Sequence, residues 1–138
     1  DNIKLKYGRD ALGKGFLYRI ISESVIADVK MMTDKEKSNG IIGKSCFVPY
    51  DKGDKDGNSW YLPTPFYIDW SKDSVNELRT SKAAVIRNPQ FYFKSGVCWI
   101  LTLNEQSEYF KARLRDPGVF DVNAMSMFIT NNLISEKY

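Results

Sequence analysis

The sequence predicts a β-rich α+β domain: a mixed or antiparallel sheet with a few short helices. Aromatic residues make up 14% of the 138 positions and are mostly Tyr and Phe, which suit a half-buried pleated surface. Period-two alternation recurs, as in Phe66-Tyr67-Ile68-Asp69-Trp70, where Phe66, Ile68 and Trp70 share one face. With 43% hydrophobic and 27% charged side chains the chain can bury a core, so one folded domain over 1–138 is expected. Asp1 opens without Met, and the pattern that begins at Asn131 stops at Tyr138, so an excised domain of something larger is expected.

Residues 15–21 read as a first strand, with Ser22 and Ser24 as caps for a helix over 25–32. The polar stretch 30–39 ends in the turn signal Asn39-Gly40. Residues 44–50 read as a strand carrying Cys46, Phe47 and Val48 and stopping at Pro49. The clearest loop is 51–59, where Gly53 and Gly57 permit positive backbone angles, and Trp60 and Tyr61 close it. After the strand at 66–70, Ser71 or Asp73 caps a helix through Arg79 with Val75 and Leu78 inward. The remainder reads mostly as strand: 84–87, 91–94, 97–103, 109–115, 119–122 and 126–129.

A net charge of +3 predicts no uniformly basic surface, so any nucleic-acid contact must be local. With no histidine and only Cys46 and Cys98, a tetrahedral zinc site lacks ligands. Both cysteines read as small apolar residues of a reducing compartment. The apolar runs fall far short of the ~20 residues a spanning helix needs, so no membrane contact and a cytoplasmic setting are expected.

The strand at 109–115 carries the sharpest chemical signal. Alternation puts Phe110, Ala112 and Leu114 on one side and Tyr109, Lys111, Arg113 and Arg115 on the other. At a rise of about 3.3 Å per residue, same-face side chains stand roughly 6.6 Å apart, so three cations form a row. Such a row suits phosphates or guanine edges in a groove, and it equally describes a solvated sheet face. The loop 51–58 reads either as a finger carrying Lys52, Lys55 and Asn58 to a groove or as a decorated hairpin turn. It fails as a calcium loop, because Gly53 and Lys55 stand where the third and fifth ligands belong.

Catalytic signals fail one by one. Asn88-Pro89-Gln90-Phe91 resembles the Asn-Pro-Pro-aromatic motif of amino methyltransferases, but Gln90 replaces the second proline and no glycine-rich S-adenosylmethionine loop is evident. Asp28-Val29-Lys30 is only a fragment of a metal-dependent nuclease pattern. Without histidine, and with no serine or cysteine beside an evident base, hydrolytic triads have no support.

The order of motifs from about Ser45 onward resembles the target-recognition, or specificity, region of bacterial type II restriction-modification enzymes and adenine-specific DNA methyltransferases. Phe47-Val48-Pro49-Tyr50-Asp51-Lys52-Gly53, then Trp60-Tyr61, then Tyr67-Ile68-Asp69-Trp70 are similar to its aromatic and glycine loop block. Arg87-Asn88 ahead of Phe91-Tyr92-Phe93-Lys94, followed by Gly96-Val97-Cys98-Trp99, resembles its central block. Arg113 and then Gly118-Val119-Phe120-Asp121 resemble the next. The first forty residues resemble the family less.

The resemblance implies a non-catalytic reader of double-stranded DNA with no cofactor of its own. Its S-adenosylmethionine-dependent partner, the methyltransferase domain of the same polypeptide, would flip and methylate an adenine. Trp70, Trp99, Phe120 and Met127 then read as core, Gly96 and Gly118 as turns, and Asp121 as a carboxylate paired with Arg113 or a backbone amide. The expected DNA contacts are Lys52, Lys55 and Asn58 on the loop and Lys111, Arg113 and Arg115 on the strand. The alternative is a protein-interaction module of a bacterial defence system. A continuous basic concavity favours DNA, and an exposed aromatic patch with scattered charge favours protein.

Overall fold

The computed structural model describes residues 21–52, 66–82, 86–100, 112–122 and 124–129. Among these, two three-stranded sheets and two short α-helices form a β-rich α+β fold. The first sheet has β1 (Phe47–Asp51) at its centre, flanked by β2 (Tyr67–Asp69) antiparallel and β5 (Val119–Phe120) parallel. The second has β3 (Gly96–Ile100) between β4 (Ala112–Arg115) and β6 (Ala124–Met127), both antiparallel to it.

Both helices begin where side-chain chemistry starts them. Helix α1 (Asp34–Asn39) opens on a capping box: the Thr33 hydroxyl accepts from the Glu36 amide, and the Glu36 carboxylate accepts from the Thr33 amide at 2.8 Å. It ends at Gly40, whose φ of 88° is open to glycine, and a Cβ there would lie 2.7 Å from the Lys72 backbone. Helix α2 (Lys72–Thr80) is capped by Ser71 and buries Val75, with Leu78 packed against the core, as its spacing predicts.

Trp70 is the keystone of the main core. It meets Tyr92 and Phe93 edge-on at 5.9 and 5.5 Å between ring centres, and its indole N–H donates to the Glu36 and Lys37 carbonyls at 3.2 Å. Ala27, Met32, Ile41, Val48, Val75 and Val119 complete the cluster.

Several boundaries differ from the sequence reading. The helix expected over 25–32 is a single 3-10 turn at Glu23–Val25, capped by Ser22. Pro49 does not stop its strand. The Tyr50 amide bonds to Phe66 in the segment leading into β2, so the Pro49 nitrogen faces the opposite edge, ahead of the point where β5 pairs. Residues 91–94 are not a strand, because Asn88 (φ 52°) and Phe93 (φ 62°) adopt left-handed angles around a 3-10 turn at Pro89–Phe91.

Gly118 and Gly96 are required by crowding: a Cβ would lie 2.7 Å from the Pro49 carbonyl oxygen and 2.5 Å from that of Met127, respectively. Gly96 lies in β3, not in a turn. Met127 is 60% exposed and Trp99 only half-buried, so neither is the core anchor expected. The expected strand at 15–21 lies outside the described residues except for its last position, and the parts of the expected strands at 84–85, 101–103 and 109–111 lie outside them as well.

Candidate nucleic-acid interface

The two arginines of the cation row expected on β4 face inward. Arg113 and Arg115 are 7% and 3% exposed, whereas Leu114 between them is 41% exposed. Register explains the inversion. Arg113 pairs across from Cys98, which is 1% exposed, and residues directly opposite share a sheet face. The inner face therefore carries Cys98, Arg113, Arg115, Ala124 and Ser126, and the outer face carries Val97, Trp99, Leu114, Met125 and Met127.

The buried guanidiniums are accommodated by a carboxylate, a hydroxyl and aromatic faces. Arg113 Nη2 donates to Asp51 Oδ1 at 2.7 Å, an ion pair with both side chains under 10% exposed. Arg115 donates to the Ser126 hydroxyl and lies over Phe120 at 4.1 Å and Phe128 at 5.2 Å. Among the described residues Arg113 Nη1 and Arg115 Nε have no hydrogen-bond partner. Burial holds Arg115 below the usual arginine range and pushes the Cys98 thiol up to about 11. These residues join the sheets and are framework, so Arg113 and Arg115 are withdrawn as exposed contacts.

Asp121 also finds a partner other than the expected Arg113: its carboxylate accepts from the Tyr50 hydroxyl at 3.2 Å. Lys52, at the root of the β1–β2 connection, is half-buried with its ammonium 5.8 Å from the Phe66 ring centre. Lys55, Asn58 and Lys111 lie outside the described residues.

Sequence reasoning missed two concavities that share one wall, the segment 86–94. The larger, about 680 Å³, lies between that segment and helices α1 and α2. Its charged lining is Lys37, Arg79 and Lys94 against a single acid, Asp34. Arg79 is anchored there by hydrogen bonds to the Ser38 carbonyl and the Asn39 side chain, and Lys94 lies 5.4 Å from the Phe91 ring centre. These cations come from three segments spread between residues 37 and 94 of the sequence, so no periodicity could have grouped them. The smaller, about 390 Å³, lies on the other side of the turn, between Arg87, Asn88 and Phe91 and the corner joining β5 to β6.

Among the described residues no cluster of three or more Cys, Asp or Glu side chains could hold a metal ion, and no helix is long and apolar enough to cross a membrane. Comparison of the chain with protein-family models, with curated proteins and with solved structures finds no match.

Proposed function

We propose that this domain is a DNA sequence-recognition module of an adenine-specific DNA methyltransferase or fused restriction-modification enzyme, and that it grips the duplex without reacting with it. The single observation that carries the reading is the basic concavity, where Lys37, Arg79 and Lys94 face one acid. Clustered cations in a concave surface focus potential onto a polyanion even when net charge is small.

The motif resemblance supports the same reading in a particular way. Asp51, Trp70, Phe93, Gly118 and Arg113 come from blocks spread along the sequence, and they meet through a buried ion pair, ring contacts and a Phe93 amide bond to the Gly118 carbonyl. A shared framework of this kind would leave base reading to the remaining proposed contacts, Lys52, Lys55, Asn58 and Lys111. Methyl transfer and S-adenosylmethionine belong to a separate domain in this reading. Selection from a randomised duplex library with the 138-residue chain tests it. Enrichment of one short motif is expected, and recovery of unselected sequence would overturn sequence recognition.

A second reading, a protein-docking module, is favoured by the outer face of the second sheet, where Leu114, Met125 and Met127 are 41%, 40% and 60% exposed. Leu114→Lys with Met127→Lys separates the two. A DNA reader keeps its duplex affinity, and a docking module loses its partner.

A further inference from the structure

We propose that the 680 Å³ concavity between α1, α2 and the 86–94 segment binds a small amphipathic anion, an organic carboxylate whose apolar body fills the floor while its charge meets the rim. The size lies within the ~300–1,000 Å³ typical of small-ligand sites. The ligand site stands on its own geometry, and its regulatory consequence rests on the DNA-recognition reading. A bound carboxylate occupies the cations that would grip phosphates, so it releases the duplex.

The floor belongs to the main core. Trp70, Val75, Tyr92 and Phe93 line it and are each under 10% exposed, and Leu78 and Ile86 pack half-buried against them. Edge-on contacts of Trp70 with Tyr92 and Phe93 fix the rings, so this recess is preformed. The polar atoms of the rings are already engaged. The Trp70 indole N–H is shared by the Glu36 and Lys37 carbonyls, and the Tyr92 hydroxyl hydrogen-bonds with the Arg87 backbone. Water over such a floor finds few partners, and an apolar group gains by displacing it. A sugar-phosphate strand meets the rim and leaves the floor unfilled, so DNA alone does not account for both halves of the concavity.

The rim supplies the charge. Arg79 and Lys94 are exposed and Lys37 is half-buried, and together they outnumber Asp34, the one acid of the lining. The Ser38 carbonyl and the Asn39 side chain hold the Arg79 guanidinium in place and use only part of its donor set. A carboxylate reaching this rim gains charge-assisted hydrogen bonds that a neutral molecule of the same shape does not.

The test uses methyl-labelled isoleucine, leucine and valine in the full 138-residue chain, with naphthoate as the probe. Leu78 and Ile86 line the concavity, whereas Ile42 and Leu114, 81% and 41% exposed, do not. Naphthoate should move the Leu78 and Ile86 methyls to saturation and leave Ile42 and Leu114 still. Naphthamide, which lacks the charge, and acetate, which lacks the apolar body, should each bind at least about tenfold more weakly. Lys37→Gln with Lys94→Gln should weaken naphthoate about tenfold and leave naphthamide unchanged, with the core Val48 methyl unmoved as a check on folding.

Still Leu78 and Ile86 methyls, an equal response at Ile42 and Leu114, or naphthamide or acetate binding as tightly as naphthoate would overturn the proposal. So would undiminished naphthoate binding in the double variant, or shifts produced by an acidic peptide and not by naphthoate. Duplex binding on the same sample separates the layers. Naphthoate bound with the duplex undisturbed overturns the competition, naphthoate bound by a chain that ignores duplex overturns the DNA reading alone, and duplex bound with silent methyls overturns the carboxylate site alone.

Discussion

Replacing Asp51 by Asn should destabilise the domain by about 3–5 kcal/mol, the usual cost of removing one partner from a buried ion pair. The geometry sets the scale. Asp51 and Arg113 meet at 2.7 Å with side chains 6% and 8% exposed. At an effective dielectric of about 20 the direct attraction is roughly 6 kcal/mol, before the cost of desolvating both groups is deducted. Asparagine keeps the shape but leaves the Arg113 and Arg115 guanidiniums facing each other without that carboxylate. Replacing both members by apolar residues, Asp51→Leu with Arg113→Met, should cost far less than the two single changes added together, because no charge is stranded. Urea unfolding with an unchanged m-value measures each variant and the coupling between them. A destabilisation under about 1 kcal/mol for Asp51→Asn, or a double variant as unstable as the sum of the singles, would refute the view that this pair joins the sheets.

Cys98 should resist alkylation at pH 8 while the half-exposed Cys46 reacts, because burial pushes the Cys98 thiol up to about 11; equal rates by mass spectrometry would contradict this. A folded-state value above the unfolded one of about 9 means that stability is intact below pH 9 and falls as pH rises toward 11, by at most about 1.4 kcal/mol per unit. Cys98→Ala should flatten that decline, leaving the part due to Tyr92, which burial also raises. Gly118→Ala should cost about 1–3 kcal/mol in thermal or urea unfolding, since its Cβ would sit 2.7 Å from the Pro49 carbonyl oxygen. Thr33→Ala removes a capping-box hydroxyl and should cost about 1 kcal/mol. Because bonds to Thr33 hold the Glu36 carboxyl below its usual range, that variant should also show a smaller drop in stability than the parent as pH falls through the carboxylate range.

Where one local rule decided the outcome, the fold was legible in the sequence. Ser71 with Val75 and Leu78 specifies α2, and the alternation from Phe66 to Trp70 specifies β2. Rules that depend on partners misled. The pattern at 112–115 reads correctly as a strand, but which face is inward was decided by the partners across the sheets: Asp51 draws Arg113 in and the Ser126 hydroxyl receives Arg115. Leu114 takes the exposed position because leaving one leucine half in water costs less than an unpaired carboxylate beside Cys98. Non-glycine residues at positive φ, Asn88 and Phe93, convert an aromatic stretch from strand to turn, and only tertiary packing reveals them. The basic concavity was illegible for the same reason, since Lys37, Arg79 and Lys94 become neighbours only once α1 and α2 pack beside the 86–94 segment.

The salt dependence of duplex binding, compared between the parent chain and Lys37→Ala with Lys94→Ala, tests the proposed grip most directly. If both lysines meet phosphates, the slope of log K against log salt should become shallower by about 1.8, at about 0.9 for each phosphate no longer neutralised, with affinity falling alike for all sequences. An unchanged slope, or a parent chain whose association with duplex DNA ignores salt, would contradict a DNA grip in the concavity.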